Sequence, residues 1–364
     1  MQASAVVLQR FNQPLVMEHI SIPQLRDGEV LVRVEAAGIC GSDVHMWRGQ
    51  DPRTPLPIIL GHEGAGRICQ LNGPRRDING RTLEVGQHVL WERGVSCGMC
   101  HYCQVLHTPS LCPKRWAYGI HRSRSQPPYL VGAYATHMVL DAGTVFFPLD
   151  EADDPAVMVM ASCSGATAAH AFDMTLQRPG DTCIIFGPGP LGAFAVALAR
   201  AGGAEQIMVV GGNHARLELC RSLGATHLYD RHQLSTADLT AAVRKATHGR
   251  GADLAVEASG SVDAMLAGLE VLRPGGTLLM PGMGEPVGDA TLPPFELIVR
   301  KNVTVQGCWV SDTRHTHQAI SLIRQQPEAM AALVTHRFPL NEATQALQAV
   351  KERRALKAVL LPQE

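Results

Sequence analysis

Short apolar runs separated by loops containing Pro and Gly dominate the first 150 residues. EVLVRVEAAG (29–38) and GQHVLWE (86–92) are of this kind. Runs of this length, bounded by turn-forming residues, predict strands rather than helices. The first part of the chain is therefore expected to form a β-rich domain.

From about residue 155 the pattern changes to strand-length apolar runs that alternate with helix-length segments. The predicted strands are DTCIIFG (181–187), QIMVV (206–210), ATHLYD (225–230), ADLAVEAS (252–259) and TLLMPG (277–282). The predicted helices include PLGAFAVALARAGG (190–203) and ARLELCRSLG (215–224). Strands alternating with helices predict an α/β domain with a doubly wound parallel sheet.

After residue 300 the alternation weakens. VTVQGCWV (303–310) predicts one last strand of the sheet, and we expect the tail from about 335 to return to the first domain. A β-rich domain interrupted by an α/β domain is the architecture that follows.

Composition supports a two-domain protein of 364 residues with ample core, since 46% of its residues are hydrophobic and 18% are charged. The net charge of −1 shows no basic excess, so nucleic-acid and membrane partners are not expected. The N-terminus lacks a signal-peptide pattern, and no apolar run is long enough to span a bilayer. A cytoplasmic location follows, where ten cysteines are expected as metal ligands, reactive thiols or core residues rather than disulfides.

A glycine-rich loop follows the first predicted strand of the α/β domain. In FGPGPLG (186–192), Gly187, Gly189 and Gly192 have the G-x-G-x-x-G spacing, with Pro190 and Leu191 between them. These glycines allow a tight turn and close approach of a pyrophosphate to the start of the next helix. The loop, in its strand–helix context, predicts dinucleotide binding.

The second predicted strand of this domain lacks the usual acid at its end. An Asp or Glu there binds the adenosine ribose hydroxyls, but QIMVV is followed by Gly211, Gly212 and Asn213. A small residue leaves room for a 2′-phosphate, which His214 or Arg216 could bind. We assign Gly211, Asn213 and Arg216 to cofactor binding and leave NAD and NADP both open.

Four cysteines lie close together in VSCGMCHYC and the residues after it. Cys97, Cys100, Cys103 and Cys112 offer four thiolates, which suit tetrahedral zinc and also an iron–sulfur cluster. A site with all four positions filled by protein has no place for a substrate. The cluster therefore predicts a structural metal.

A second set of potential ligands is scattered along the chain. Cys40 lies in GICGSDVH (38–45), His62 and Glu63 lie in GHEG (61–64), and Cys163 lies in ASCSGATAAH (161–170). Each of them alone is more typical of a core residue than of a metal ligand.

Taken in order, GICGSDVH, GHEGAG, the four-cysteine lobe, SCSGAT and FGPGPLG resemble the zinc-dependent medium-chain alcohol dehydrogenases, over essentially the whole chain. The resemblance implies a β-rich GroES-like catalytic domain (1–160 and 305–364) and a doubly wound, parallel-sheet Rossmann domain (161–304). It also implies a homodimer or homotetramer and a small-molecule alcohol or carbonyl substrate. The expected reaction is reversible oxidation of an alcohol to an aldehyde or ketone, with hydride transfer to NAD or NADP.

The resemblance also implies site roles. Cys40, His62 and Cys163 match the ligands of a catalytic zinc, which with the lobe gives two Zn²⁺ per chain. Glu63 matches a carboxylate that approaches the metal, and Asp43 matches one that orients the histidine ligand. We assign the proton relay by the same resemblance. Its residues are Ser42, which contacts the alcohol oxygen, and His45, which ends the path to solvent.

Two departures from the family pattern concern substrate and cofactor. Eight residues separate Cys103 from Cys112, one more than is common, and the ribose acid is missing. Trp47 and Trp116 are candidate pocket residues with a core role as the alternative. Arg93, next to Glu92, is a candidate for binding an acidic substrate, with a structural ion pair as the alternative.

Two other functions stay open at this point. One is a polyol or threonine-like amino-acid dehydrogenase of the same family, although the Ser-Cys-Ser around Cys163 favours the three-ligand alcohol-dehydrogenase type. The other is a non-enzyme module that binds a partner through a zinc lobe.

Overall fold

The computed structural model describes residues 1–363. They divide into two compact units. The first unit comprises Met1–Cys163, Asp312–His317 and the chain from Leu333 onward, and the second comprises Ser164–Ser311 and Gln318–Ala332. Over the described range, none of the helices has the length and apolar character needed to cross a membrane.

The N-terminal part of the first unit is mainly β-structure, as expected. Its strands are β1 (Gln2–Leu8), β2 (Val16–Ser21), β3 (Val30–Ile39), β4 (Ile58–Ile59), β5 (Glu63–Leu71), β6 (His88–Trp91), β7 (Gly94–Val95), β8 (Trp116–Ala117), β9 (His137–Leu140) and β10 (Phe146–Pro148). Its α-helices are α1 (Gly41–Trp47), α2 (His101–Gln104) and α3 (Pro155–Met158), and 3-10 turns form at Pro109–Leu111 and Val159–Ser162.

The second unit alternates strands and helices. Its elements are α4 (Ser164–Asp173), β11 (Thr182–Phe186), α5 (Pro190–Ala201), β12 (Gln206–Gly211), α6 (His214–Leu223), β13 (His227–Asp230), α7 (Thr236–Ala246), β14 (Ala252–Glu257), α8 (Val262–Val271), β15 (Leu272–Met280), a π-helical turn (Phe295–Val299) and β16 (Thr304–Gly307).

These six strands form one parallel sheet in the order β13-β12-β11-β14-β15-β16. This is the doubly wound order, with the chain reversing direction across the sheet beside β11. All five residues of β11 are buried, as a strand covered on both faces requires. The apolar runs that predicted these strands are explained by this double burial.

The C-terminal part contributes elements to both units. They are α9 (Thr313–Gln325), α10 (Pro327–Ala331), β17 (Val334–Pro339), a 3-10 turn (Leu340–Glu342), α11 (Ala343–Lys351) and β18 (Lys357–Leu361). In the first unit, β18 pairs with β3 and β17, which completes a sheet ordered β10-β6-β5-β3-β18-β17, with β9 also on β3. The remaining strands form a β2-β1-β4 sheet and a β7-β8 ribbon. The tail therefore returns to the first unit, as the sequence pattern predicted.

The position of that return agrees with the apolar pattern and differs from the boundary that the family resemblance implied. The pattern placed the return at about residue 335, whereas the resemblance placed it at residue 305, where β16 is still an edge strand of the parallel sheet, paired with β15. Apart from Asp312–His317, the chain stays with the second unit until Ala332.

Candidate active site

Three loops of the first unit bring Cys40, His62, Glu63 and Cys163 together. Cys40 follows β3 and caps the start of α1, while His62 precedes β5 and Glu63 is its first residue. Cys163 follows the 3-10 turn Val159–Ser162. One ligand atom from each of the four residues lies within 4.8 Å of the others. The Cys163 Sγ is 3.4 Å from His62 Nε2 and 3.9 Å from Cys40 Sγ.

Asp43, on the first turn of α1, fixes the orientation of His62. Its Oδ1 lies 3.3 Å from His62 Nδ1, and its Oδ2 accepts the Cys40 N–H at 2.8 Å. The Asp43 and His62 side chains are both buried. With Nδ1 held by a carboxylate, His62 presents Nε2 to the two thiols, which is the arrangement of a metal-binding histidine.

The electrostatics of the cluster favour a cation. Burial by itself favours the neutral imidazole, but the Asp43 carboxylate and Cys40 outweigh it and raise the pKa of His62 to about 10. The hydrogen bond between the two thiols lowers the pKa of Cys40 and raises that of Cys163. Because thiolate and imidazole are preferred zinc donors, three of these residues fit a zinc site with an open fourth position.

Glu63 is the fourth member of the cluster and forms a buried ion pair. Lys357 on β18 donates its Nζ to Glu63 Oε2, and both side chains are buried. Burial raises the pKa of Glu63, and the Lys357 ammonium opposes that shift. The other oxygen, Oε1, is buried without a hydrogen-bond partner among residues 1–363 and lies 3.9 Å from His62 Nε2. An unpartnered carboxylate oxygen facing the cluster is consistent with a cation there.

Arg93 also reaches this cluster. It follows β6, is 7% exposed, and its Nη1 lies 2.9 Å from Cys163 Sγ. From the sequence we expected either a substrate anion or an ion pair as its partner, and a cysteine was not among the candidates. Lys357 was not singled out at all.

Ser42 and His45, the predicted relay residues, lie on α1. The Ser42 Oγ is 3.9 Å from Cys40 Sγ, and His45 Nδ1 is 3.1 Å from Gln50 Oε1. Trp47, on the same helix, is buried and donates its Nε1–H to the Gln13 carbonyl at 2.7 Å. Trp116 packs beneath the Arg122 guanidinium, 3.4 Å from the ring centroid.

The four lobe cysteines form a second cluster in the first unit. Their sulfur atoms lie within 4.8 Å of one another, with Cys97 paired to Cys112 and Cys100 to Cys103 at 3.5 Å each. The Met99 N–H lowers the pKa of Cys97 to about 6, which favours the thiolate that binds metals. The donor set fits a closed four-thiolate site.

The glycine loop of the second unit has the geometry of the dinucleotide fingerprint. Gly187 has φ +105°, a conformation that favours glycine. A Cβ on Gly192 would lie 1.9 Å from the Gly187 carbonyl oxygen, so only glycine allows this close packing. Gly189 caps α5, and Pro190 and Leu191 are the first two residues of the helix. The backbone N–H groups of this first turn have no partner within the helix.

Two basic residues that the sequence did not single out lie beside the end of β12. Asn213 caps α6, and its side chain accepts the Arg216 N–H at 3.1 Å. A Cβ on Gly212 would lie 2.5 Å from His232 Nε2 and 2.8 Å from Arg231 Nε. Two basic side chains from the end of β13 therefore lie over the backbone where the ribose acid is missing.

Comparison with known proteins identifies two matching families. The family "Alcohol dehydrogenase GroES-like domain" matches residues 26–151, and "Zinc-binding dehydrogenase" matches residues 190–325. Among curated proteins, 5-exo-hydroxycamphor dehydrogenase of Pseudomonas putida is 33% identical, covering 92% of this chain and 91% of its own. D-xylulose reductase A of Aspergillus oryzae is 32% identical, covering 93% and 91%.

Among solved structures, an alcohol dehydrogenase from Thermotoga maritima is 46% identical. It superposes with a TM-score of 0.97, covering 99% of both chains. These matches confirm the fold class and the enzyme assignment, and they leave no support for a non-enzyme zinc-lobe module. The chain belongs to the zinc-dependent medium-chain alcohol dehydrogenase family.

Proposed function

We propose that this protein oxidises an alcohol to an aldehyde or ketone, reversibly, with NAD or NADP as the hydride acceptor. The observation that carries the proposal is the convergence of Cys40, His62 and Cys163 in one buried site of the first unit. Its donor set and its electrostatic preference for a cation both fit a catalytic metal.

Cys40, His62 and Cys163 would hold a catalytic zinc, and the lobe cysteines a structural one. Zinc at the three-donor site supplies a Lewis acid that makes the substrate hydroxyl more acidic. Asp43 holds the His62 ring, and Glu63 adds a buried negative charge beside it. Ser42 would contact the substrate hydroxyl and accept its proton while giving up its own to the relay. His45 would end that relay and release the proton to solvent, which suits a partly exposed imidazole.

The second unit would bind the dinucleotide, whose nicotinamide supplies the hydride acceptor. The pyrophosphate would lie against the Gly187–Gly192 loop and the N-terminus of α5, where backbone N–H groups point outward. We propose NADP as the preferred form because Arg231 and His232 lie beside Gly212 and no acid follows β12. A guanidinium binds a 2′-phosphate well.

Arg231→Ala tests the preference directly. We expect a higher KM for NADP with little change for NAD. Arg221→Ala, which removes an exposed arginine at the far end of α6, serves as the control. An equal effect of Arg231→Ala on both dinucleotides would remove the basis for an NADP preference.

Substrate identity is best tested with a panel of alcohols assayed with both cofactors, by following absorbance of the reduced form. The panel contains a cyclic terpenoid alcohol, xylitol and sorbitol, L-threonine and simple alcohols. Activity on xylitol or L-threonine alone would favour a polyol or amino-acid dehydrogenase of this family. A protein with two metals bound and no activity on any alcohol would contradict the proposal.

We also propose a cytoplasmic homodimer or homotetramer. The support is the edge strand β16, whose Val305 is 43% exposed, and nearby Trp309, which is 45% exposed. Light scattering at several concentrations measures the oligomeric state, and a Val305→Asp protein that stays assembled would argue against this edge.

A further inference from the structure

Arg93 places a buried guanidinium against Cys163. Its Nη1 is 2.9 Å from the sulfur, within the range of a charge-assisted N–H···S hydrogen bond. Arg93 comes from the loop after β6, whereas Cys163 lies 70 residues later, after a 3-10 turn. The contact is therefore made by the tertiary fold and does not follow from local chain geometry.

The neighbouring charges explain why a guanidinium is stable at this depth. Burial opposes the charged form of the guanidinium, and the carboxylates of Glu92 and Glu63 favour it. The adjacent Glu92 directs its Oε2 elsewhere, to the Thr316 hydroxyl at 2.8 Å. A buried cation is retained only where negative charges compensate its lost hydration, as these carboxylates do.

A hydrogen bond from a cation changes what a thiolate can donate. It stabilises the sulfur lone pairs and so lowers the electron density that the sulfur gives to a metal. Arginine suits such a role because its planar fork holds a fixed direction and stays charged. Groups that hold a metal ligand in this way influence affinity and activity strongly although they do not touch the metal.

We propose that Arg93 is a positioning residue for the catalytic metal site, which orients Cys163 and withdraws charge from its thiolate, so that the bound metal is a stronger Lewis acid. The inference rests on the proposed function, because it assumes that Cys163 is a metal ligand. It concerns the ligand and not the substrate, so it replaces the expectation that Arg93 binds an acidic substrate.

The test compares wild type with Arg93→Gln and Arg93→Met, with zinc kept in the lobe and cobalt in the Cys40–His62–Cys163 site. We expect the sulfur-to-cobalt charge-transfer band to move to longer wavelength in both neutral variants, because the sulfur lone pairs rise in energy. The kcat of the zinc enzyme should fall about 10- to 100-fold. Arg93→Lys, which keeps the charge but has a shorter side chain and no planar fork, should give a smaller shift in the same direction.

Arg75→Gln is the matched control. Arg75 is a partly buried arginine of the same unit that donates to the backbone carbonyls of Gly28, Asp141 and Thr144, away from the cysteines. It should alter stability without moving the cobalt band. A band at the wild-type position in the neutral variants, or in Arg93→Lys if only that variant folds, overturns the proposal. A wild-type protein that binds no metal besides the lobe metal would instead contradict the proposed function.

Discussion

The Asp43 carboxylate contacts two residues of the site at once: the backbone of Cys40 and the side chain of His62. One carboxylate oxygen accepts the Cys40 N–H and the other faces His62 Nδ1, so it fixes a cysteine backbone and an imidazole ring together. A single carboxylate thereby orients two of the three proposed metal donors.

Asp43→Asn should weaken metal binding at this site. The amide keeps the size of the side chain but removes the charge that favours a cation and orients His62. We expect about a 10- to 100-fold loss of affinity for the catalytic metal, measured by competition with a chelator, while the lobe metal is retained. Asp77→Asn is the control, since Asp77 is also buried but accepts the Asn79 and Arg81 N–H groups, which lie outside the cluster. Equal metal loss in both variants would refute the specific role of Asp43.

Removing one partner of the buried Glu63–Lys357 ion pair is expected to destabilise the protein strongly. Lys357→Met leaves the Glu63 carboxylate buried without its cation. The free energy of unfolding, measured in urea, should therefore be about 3–5 kcal/mol lower than in wild type. The double variant Glu63→Gln with Lys357→Met removes both charges and should recover part of that loss. If Lys357→Met alone is as stable as wild type, the pair is not the compensating contact that the structure indicates.

At this scale the sequence predicted some residues of the site and not others. Cys40, His62 and Cys163 lie in recognisable local motifs, and the structure brings them together. Arg93 was a candidate from the sequence, but its contact with Cys163 was not expected. Lys357, which is 294 positions from Glu63, was not singled out. A single Lys in KAVLL carries no local signal of a buried partner.

The strand–loop–helix unit β11–α5 depends on two glycines for different reasons. Gly192 needs its missing side chain for internal packing, because a Cβ would lie 1.9 Å from the Gly187 oxygen. A Cβ on Gly189 would meet nothing within 4 Å, and its φ of −85° suits any residue. Gly189 is therefore free of an internal packing constraint.

Alanine at these two positions should separate folding from cofactor binding. Gly192→Ala should destabilise the protein by about 1–3 kcal/mol, as overpacking does, and also weaken dinucleotide binding. Gly189→Ala should leave the thermal midpoint unchanged but weaken binding, because a methyl group there obstructs the pyrophosphate. Thermal unfolding and dinucleotide titration measure the two effects. A Gly189→Ala protein with unchanged cofactor affinity would contradict the placement of the pyrophosphate at this loop.

Elements buried on both faces were the easiest to predict. The sequence indicated β11, β12 and α5 because their apolar runs are continuous. For β15 the predicted start was residue 277, but the strand begins at Leu272. Arg273, Pro274 and two glycines are typical of a turn, and they form a bulge within the strand: Leu272 pairs with Ala252 and Thr277 with Leu254, with Gly275 at φ +73° between them. Local composition does not show that a strand continues on both sides of such a turn-like segment.

At the scale of the whole molecule, the chain leaves the first unit and returns to it. β18 lies next to β3 in the same sheet although more than 300 residues separate them. That pairing places Lys357 beside Glu63, so the candidate site is complete only when the C-terminal segment has joined the sheet. The return itself was predictable from the loss of alternation after residue 300. The pattern also placed the return at about residue 335, near the observed Leu333, because β16 and α10 still satisfy the pattern of the second unit.

Buried histidines make the stability of the first unit depend on pH. Burial lowers the pKa of His88, His121 and His137, so the folded chain keeps them neutral. As pH falls through about 6.5, the usual histidine value, the unfolded chain takes up protons that the folded chain does not. The free energy of unfolding therefore decreases with falling pH until the folded-state values are reached.

His137→Gln should make this decrease less steep. The unfolded chain of the variant takes up one proton fewer. The slope of the unfolding free energy against pH, between pH 6.5 and 5, should therefore fall by at most about 1.4 kcal/mol per pH unit. His19→Gln, which replaces an exposed histidine on β2 of the same unit, should leave the slope as it is in wild type. Urea unfolding at a series of pH values, followed by a probe in the first unit, measures the slope. Parallel stability curves for His137→Gln and wild type would show that this histidine titrates alike in both states.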